Sequence, residues 1–147
     1  MRDVPARTFP ALHRTARAYC LTSVFWFAAA TLFGLGLAAE LVAPELFDDT
    51  AWLSFGRIRP IHTNLVLFGF VTSGLLGAAY SFVPRLLKTP LYSEKIGMAT
   101  VGIWNLVMAA LVVSLASGHT QAREYAELVW PLDLLVVLFF ALTTANL

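Results

Sequence analysis

Four stretches of this chain are each long and apolar enough to fill the hydrocarbon core of a bilayer, which takes roughly 20 residues of α-helix. They run over about 18–43, 61–83, 96–117 and 128–147. The wider composition agrees: 59% of residues are hydrophobic, only 13% are charged, and the mean hydropathy of +0.73 lies far outside the range of soluble domains. The expected fold is therefore an all-α integral membrane protein, a single membrane domain over 1–147 with four transmembrane helices in contact with the lipid bilayer. Pro44, Pro60, Pro90 and Pro131 fall at or near the proposed helix ends, where a missing backbone donor costs least.

The distribution of charge sets an orientation. Arg2, Arg7, Arg14 and Arg17 precede the first span, and Arg85, Lys88 and Lys95 separate the second from the third, so these regions and the N-terminus are expected on the cytoplasmic side. The opposite side receives the loop 44–60, with Glu45, Asp48 and Asp49, and the segment 118–127. The single cysteine, Cys20, excludes an internal disulfide framework and a multi-cysteine metal site, and reads as a small packing residue. The first span is too long for a cleavable signal, and no basic patch interleaved with aromatics suggests nucleic acid. Leu147 ends the fourth span with no polar flank, which suggests the N-terminal piece of a longer polypeptide.

His62 carries the first chemical signal. It begins an apolar helix, and a histidine placed in hydrocarbon calls for a partner: a metal, a carboxylate or a neighbouring helix. At about 100° per residue, Gly69, Ser73 and Gly77 lie within roughly 60° of the His62 face. Such small-residue stripes are ordinary packing seams, although a flat ring could use the same space. Arg57 and Arg59 precede the histidine. A guanidinium matches a carboxylate such as a haem propionate, and Arg57 also suits a topological anchor. A neutral imidazole nitrogen is a good iron ligand, but His13 lies on the wrong side and His119 in a loop.

A second constellation, GHTQAREYAELVWPLD from Gly118 to Asp133, precedes the fourth span. Glu124 and Glu127 are three apart and would share a face if the segment were helical. They read either as solvated charges at a helix N-terminus or as oxygen donors for a hard cation such as calcium. Asp133 would face a water cavity or another helix. Glu40, near the outer end of the first span, suits interfacial snorkelling or burial.

Together FGRIRPIHTNLVLFGF, GAAYSFVPRL and GHTQAREYAELVWPLD resemble the N-terminal part of the catalytic subunit of cbb-type cytochrome c oxidases, the C family of haem–copper oxidases. The likeness runs from the first span to the end of the chain. FGR and HTN also resemble the nitric oxide reductase large subunit, while TQAREYAELVWP favours the oxidase. The resemblance implies a bundle of about a dozen helices, of which this chain supplies four, in a bacterial inner membrane. It makes His62 an axial ligand of low-spin haem b, Arg59 a propionate partner, Glu124 a calcium-associated carboxylate and Glu127 its neighbour. Where the family often has a tyrosine just before the TQ pair, this chain has His119.

The implied activity is reduction of dioxygen to water with electrons from membrane-anchored c-type cytochrome subunits, coupled to proton translocation. The high-spin haem and copper of that reaction would be held by the rest of the catalytic subunit, since three histidines cannot build a binuclear centre; the chain alone is not expected to be active. Two alternatives stand beside this: the matching fragment of a nitric oxide reductase, and a non-catalytic four-helix membrane protein.

Overall fold

The computed structural model describes residues 13–47, 49–121 and 123–147. Arg2 and Arg7 of the orientation argument, and Asp48 of the outer loop, lie outside them. All regular structure among the described residues is helical. Helix α1 covers Arg14–Val42, α2 Phe55–Leu87, α3 Glu94–Ala116 and α4 Trp130–Asn146, with two short 3-10 turns between α1 and α2.

Three of the four helices, α1 to α3, are long and apolar enough to cross a membrane, while α4 is apolar but shorter, at 17 residues. It begins at Trp130, two residues later than hydropathy suggests, because Val129 is extended and Pro131 occupies the first turn. The larger difference is in α2, which starts at Phe55 rather than near 61. Ser54 is extended, and its carbonyl accepts from the amides of Arg57 and Ile58 at 2.8 and 3.0 Å. Pro60, expected at a helix end, therefore lies inside the helix. A proline ring crowds the carbonyl four residues back, which here belongs to Gly56 in the first turn, where relaxation is least costly.

Contacts at the helix ends establish an up-and-down arrangement. At one end Thr15 of α1 donates from its amide and hydroxyl to Glu94 Oε2 of α3, at 3.2 and 2.7 Å. There too the Ser93 amide reaches Asn146 Oδ1 of α4 at 2.9 Å. At the other end the Glu40 carboxylate of α1 accepts from the Phe55 amide of α2 at 2.9 Å, and Arg57 donates to Ala116 O at the close of α3 at 2.7 Å. Both contacts satisfy groups that a helix end leaves open.

Buried positions follow the same rhythm in two helices: Thr15, Ala16, Tyr19, Thr22, Ser23, Trp26 and Ala30 in α1, and Gly97, Thr100, Val101, Trp104, Val107, Met108, Leu111 and Leu115 in α3. Steps of three and four place each set on one face. The enclosed surfaces carry the polar groups, whereas Leu21, Val24, Phe25, Leu32 and Leu35 of α1 point outward. Trp26 Nε1 donates to Asn105 Oδ1 at 3.0 Å, Asn105 Nδ2 to Thr22 Oγ1 at 3.1 Å, and the Tyr19 hydroxyl to Thr100 Oγ1 at 2.9 Å. Tyr19 stacks on Tyr80 and Trp104 on Phe139, with ring centroids 5.4 and 4.2 Å apart.

Glycine lets α1 and α2 approach closely. A Cβ at Gly69 would lie 2.8 Å from Trp26 Cβ, and one at Gly77 would lie 2.9 Å from Cys20 Sγ. The stripe below His62 is thus a helix-packing seam, with Cys20 packed against it. Midway along α2, Leu65–Thr72 widens into a π-helix. Its carbonyls find partners outside the regular ladder: Phe68 O accepts from Trp104 Nε1 at 3.1 Å, and Phe70 O from Ser23 Oγ at 2.9 Å.

Gly69→Ala should force the two helices apart and lower stability by about 1–3 kcal/mol, the usual cost of overpacking. Gly102→Ala, where an added Cβ meets nothing within 4 Å, should shift it by no more than about 1 kcal/mol, in the stabilising direction. Denaturation of the purified protein in detergent measures both.

Candidate functional site

The first three turns of α2 distribute their polar side chains among three neighbours. Arg57 and Arg59 are two residues apart, so they leave the helix about 200° from one another. Arg57 caps α3 through Ala116 O, and its guanidinium lies beside Gly118, whose φ of +83° turns the chain out of that helix. Arg59 points outward and pairs with Glu124 Oε1 at 3.2 Å, both side chains being more than half exposed.

His62 turns toward α1. Its Nδ1 lies 2.8 Å from Ala30 O. A carbonyl only accepts, so Nδ1 carries a proton and donates, and the tautomer this bond selects has its lone pair on Nε2. Metal-binding histidines are oriented in this way, with one nitrogen tied to a carbonyl or carboxylate and the other presented to the ion.

The segment between α3 and α4 is not helical over 123–129, and Tyr125 has a φ of +62°. The condition under which Glu124 and Glu127 would share a helical face is accordingly not met. The backbone turn at Tyr125 sends the two carboxylates different ways. Glu124 meets Arg59 at the surface, while Glu127 is buried and accepts from Asn64 Nδ2 at 3.0 Å. Asn64 Nδ2 also donates to Pro60 O at 2.8 Å, a carbonyl in the helix's second turn. Both carboxylates still line one cavity of about 370 Å³, together with Arg59, Pro60, Thr63 and Arg123.

The structure therefore brings Arg59, Glu124 and Glu127 together and leaves His62 on the α1 side of the same helix. The remaining candidates separate. Glu40 caps α2; Asp133 accepts from Gln121 Nε2 at 2.9 Å, tying α4 to the loop; His119 is exposed in that loop; His13 pairs with Glu94 at the opposite end of the bundle, at 3.2 Å. Among the described residues no three histidine, cysteine or acidic side chains form a group able to hold a metal. Two participants escaped the sequence reading. Asn64 follows the histidine in an apolar run and carried a weak signal as a buried amide, whereas Ala30 acts through its backbone and carried none.

Residues 14–147 match the family described as cytochrome c and quinol oxidase polypeptide I. The chain belongs to that family. It is 37% identical over 126 residues to the cbb3-type cytochrome c oxidase subunit CcoN1 of Stutzerimonas stutzeri, covering 86% of this chain and 27% of that protein. Cytochrome c oxidase subunit 1 of Rhodobacter capsulatus is 33% identical, over 82% of this chain and 23% of its own length. A nitric oxide reductase subunit of Stutzerimonas stutzeri is a more distant relative, 26% identical over 77% of this chain and 23% of its own. The chain thus spans about a quarter of the length of the curated relatives it matches.

Within this family member the two carboxylates should differ in energetic weight. Asn64→Leu removes the partner of a buried carboxylate and should lower stability by about 1–3 kcal/mol. Glu124→Gln breaks only an exposed pair and should change it by less than about 1 kcal/mol. Chemical denaturation of both variants beside the parent protein tests the contrast.

Proposed function

We propose that the chain forms four of the membrane helices of the catalytic subunit of a cbb-type cytochrome c oxidase, and that His62 is an axial ligand of its low-spin haem b. The observation that carries this reading is the hydrogen bond from His62 Nδ1 to Ala30 O. It fits the ligand role because it leaves the Nε2 lone pair for iron and holds the ring against rotation. Haem bound there would supply reversible one-electron transfer between ferric and ferrous iron.

This chain's residues then have separable tasks. Arg59, a few residues before His62 at an accessible surface, binds a haem propionate. Glu124 is the calcium-associated carboxylate and Glu127 its neighbour. Calcium takes six to eight oxygens, more than two carboxylates provide, so propionates and groups from the rest of the subunit complete the site. Arg57 and Asn64 keep the helix start and the α3–α4 loop in place around it.

In this reading the four helices belong to a bundle of about a dozen in a bacterial inner membrane, with the N-terminus cytoplasmic and the His62 end facing outward. The remainder of the subunit holds the high-spin haem and copper, membrane-anchored c-type cytochromes deliver electrons, and reduction of dioxygen to water drives proton translocation. The identities of 37% and 33% to cytochrome c oxidase subunits, against 26% to the nitric oxide reductase subunit, support the oxidase over the reductase.

The test is a reduced-minus-oxidised spectrum of the full-length parent, assembled with its partner subunits, beside the same protein carrying His62→Ala. The low-spin b-type signal should vanish while the complex stays assembled; an unchanged signal would remove His62 as a ligand. Metal analysis of the parent should find copper, and non-haem iron in its place would move the reading to nitric oxide reductase.

A further inference from the structure

We propose that Gly34 of α1 is a positioning residue for His62, fixing which imidazole nitrogen is presented to iron and how basic that nitrogen is. An ideal Cβ at Gly34 would stand 2.7 Å from His62 Cε1, 2.9 Å from Nδ1 and 3.4 Å from Nε2. The first two distances are below any that a real Cβ tolerates, and the imidazole is held on the third turn of a packed helix, so a side chain at Gly34 would displace the ring. The absence of that side chain lets the imidazole lie against the backbone of α1 with Nδ1 2.8 Å from Ala30 O.

The same carbonyl is the one that accepts the Gly34 amide in the α1 ladder, since a helix pairs each N–H with the carbonyl four residues back. Ala30 O has two lone pairs and can serve both donors. Gly34 thus acts twice on one acceptor: its amide holds the carbonyl in place, and its bare Cα leaves room for the second donor. A ring donating from Nδ1 to a carbonyl gains electron density at Nε2, which strengthens it as a ligand for ferric iron and lowers the reduction potential. Gly36, two residues on, has no such role, because a Cβ there would meet only Ile58 Cδ1, at an ordinary 3.9 Å.

This inference rests on the reading of His62 as a haem ligand, and the two fail differently. In the full-length subunit assembled with its partners, Gly34→Ala should keep haem at the parent's stoichiometry while moving the low-spin haem midpoint potential upward and altering its electron paramagnetic resonance spectrum. Gly36→Ala should match the parent in both. A Gly34→Ala protein with the parent's potential and spectrum overturns the proposal.

Should Gly34→Ala fail to assemble, electron–nuclear double resonance on the parent decides instead. An exchangeable proton on the non-coordinating nitrogen of His62 with the couplings of a bond to a backbone carbonyl upholds the geometry through which Gly34 acts, and an N–H without that bond overturns the proposal. Retention of the full low-spin signal in His62→Ala would instead overturn the ligand reading, and the proposal with it.

Discussion

The close approach of α1 and α2 is the constraint on which the other contacts depend. Gly69 and Gly77 each sit where a methyl group would collide with α1, and Gly34 is the reciprocal site on α1 itself, opposite His62. Without a hydrophobic effect to drive helices together in lipid, contact area between backbones has to come from small residues. Once the two helices touch, their polar groups fall into place in order along the seam. His62 reaches Ala30 O, Ser23 reaches Phe70 O, and Glu40 caps the first amide of α2.

The widened turns of α2 belong to the same seam. A π-helical segment runs on a wider i→i+5 ladder, and each of its carbonyls keeps a second lone pair that a neighbouring helix can use. Here the neighbouring helices supply the donors: Ser23 from α1 and Trp104 from α3. Trp104 is also buried against Phe139, so one side chain joins α2, α3 and α4. The irregularity immediately follows the helical turn of His62 and Asn64, and the donors that satisfy it hold that turn between its neighbours.

Helix number and order were legible because apolar length in this chain leaves no other choice. Helix boundaries were less so. Hydropathy excludes the arginines and Pro60 from the second span, yet Ser54 as a start residue and Glu40 as a distant cap extend the helix back through them. The inward faces were hidden for a related reason. Both faces of α1 and α3 are apolar, so which side is buried is decided by scattered threonines, serines, glycines and aromatics that carry little periodic contrast. His62 stood out because a lone histidine at the head of an apolar run is rare. Its partner did not, since a backbone carbonyl of alanine leaves no trace in the side-chain pattern. The pairing of Arg59 with Glu124 joins side chains far apart in the chain and left no mark in the local pattern, and the parting of Glu124 from Glu127 follows from a left-handed backbone at Tyr125 that is not visible in its side chain.

The uneven strength of the polar contacts around the cavity bears on the proposed cofactor site. Arg59 and Glu124 form an exposed pair, of a kind that contributes at most about 1 kcal/mol. Exchanging the Glu124 carboxylate for a propionate on Arg59 would therefore cost little, and would release Glu124 toward a cation. Glu127 is bound differently. It is buried, and Asn64 ties it to the carbonyl of Pro60, so moving it would disturb the helix that carries His62. The arrangement pairs an adjustable carboxylate with a fixed one on a single cavity wall. Such a pair can adapt to a ligand at the cavity rim while keeping the histidine helix still, which is what the proposed electron-transfer role would require if the site's geometry is to stay unchanged through repeated oxidation and reduction.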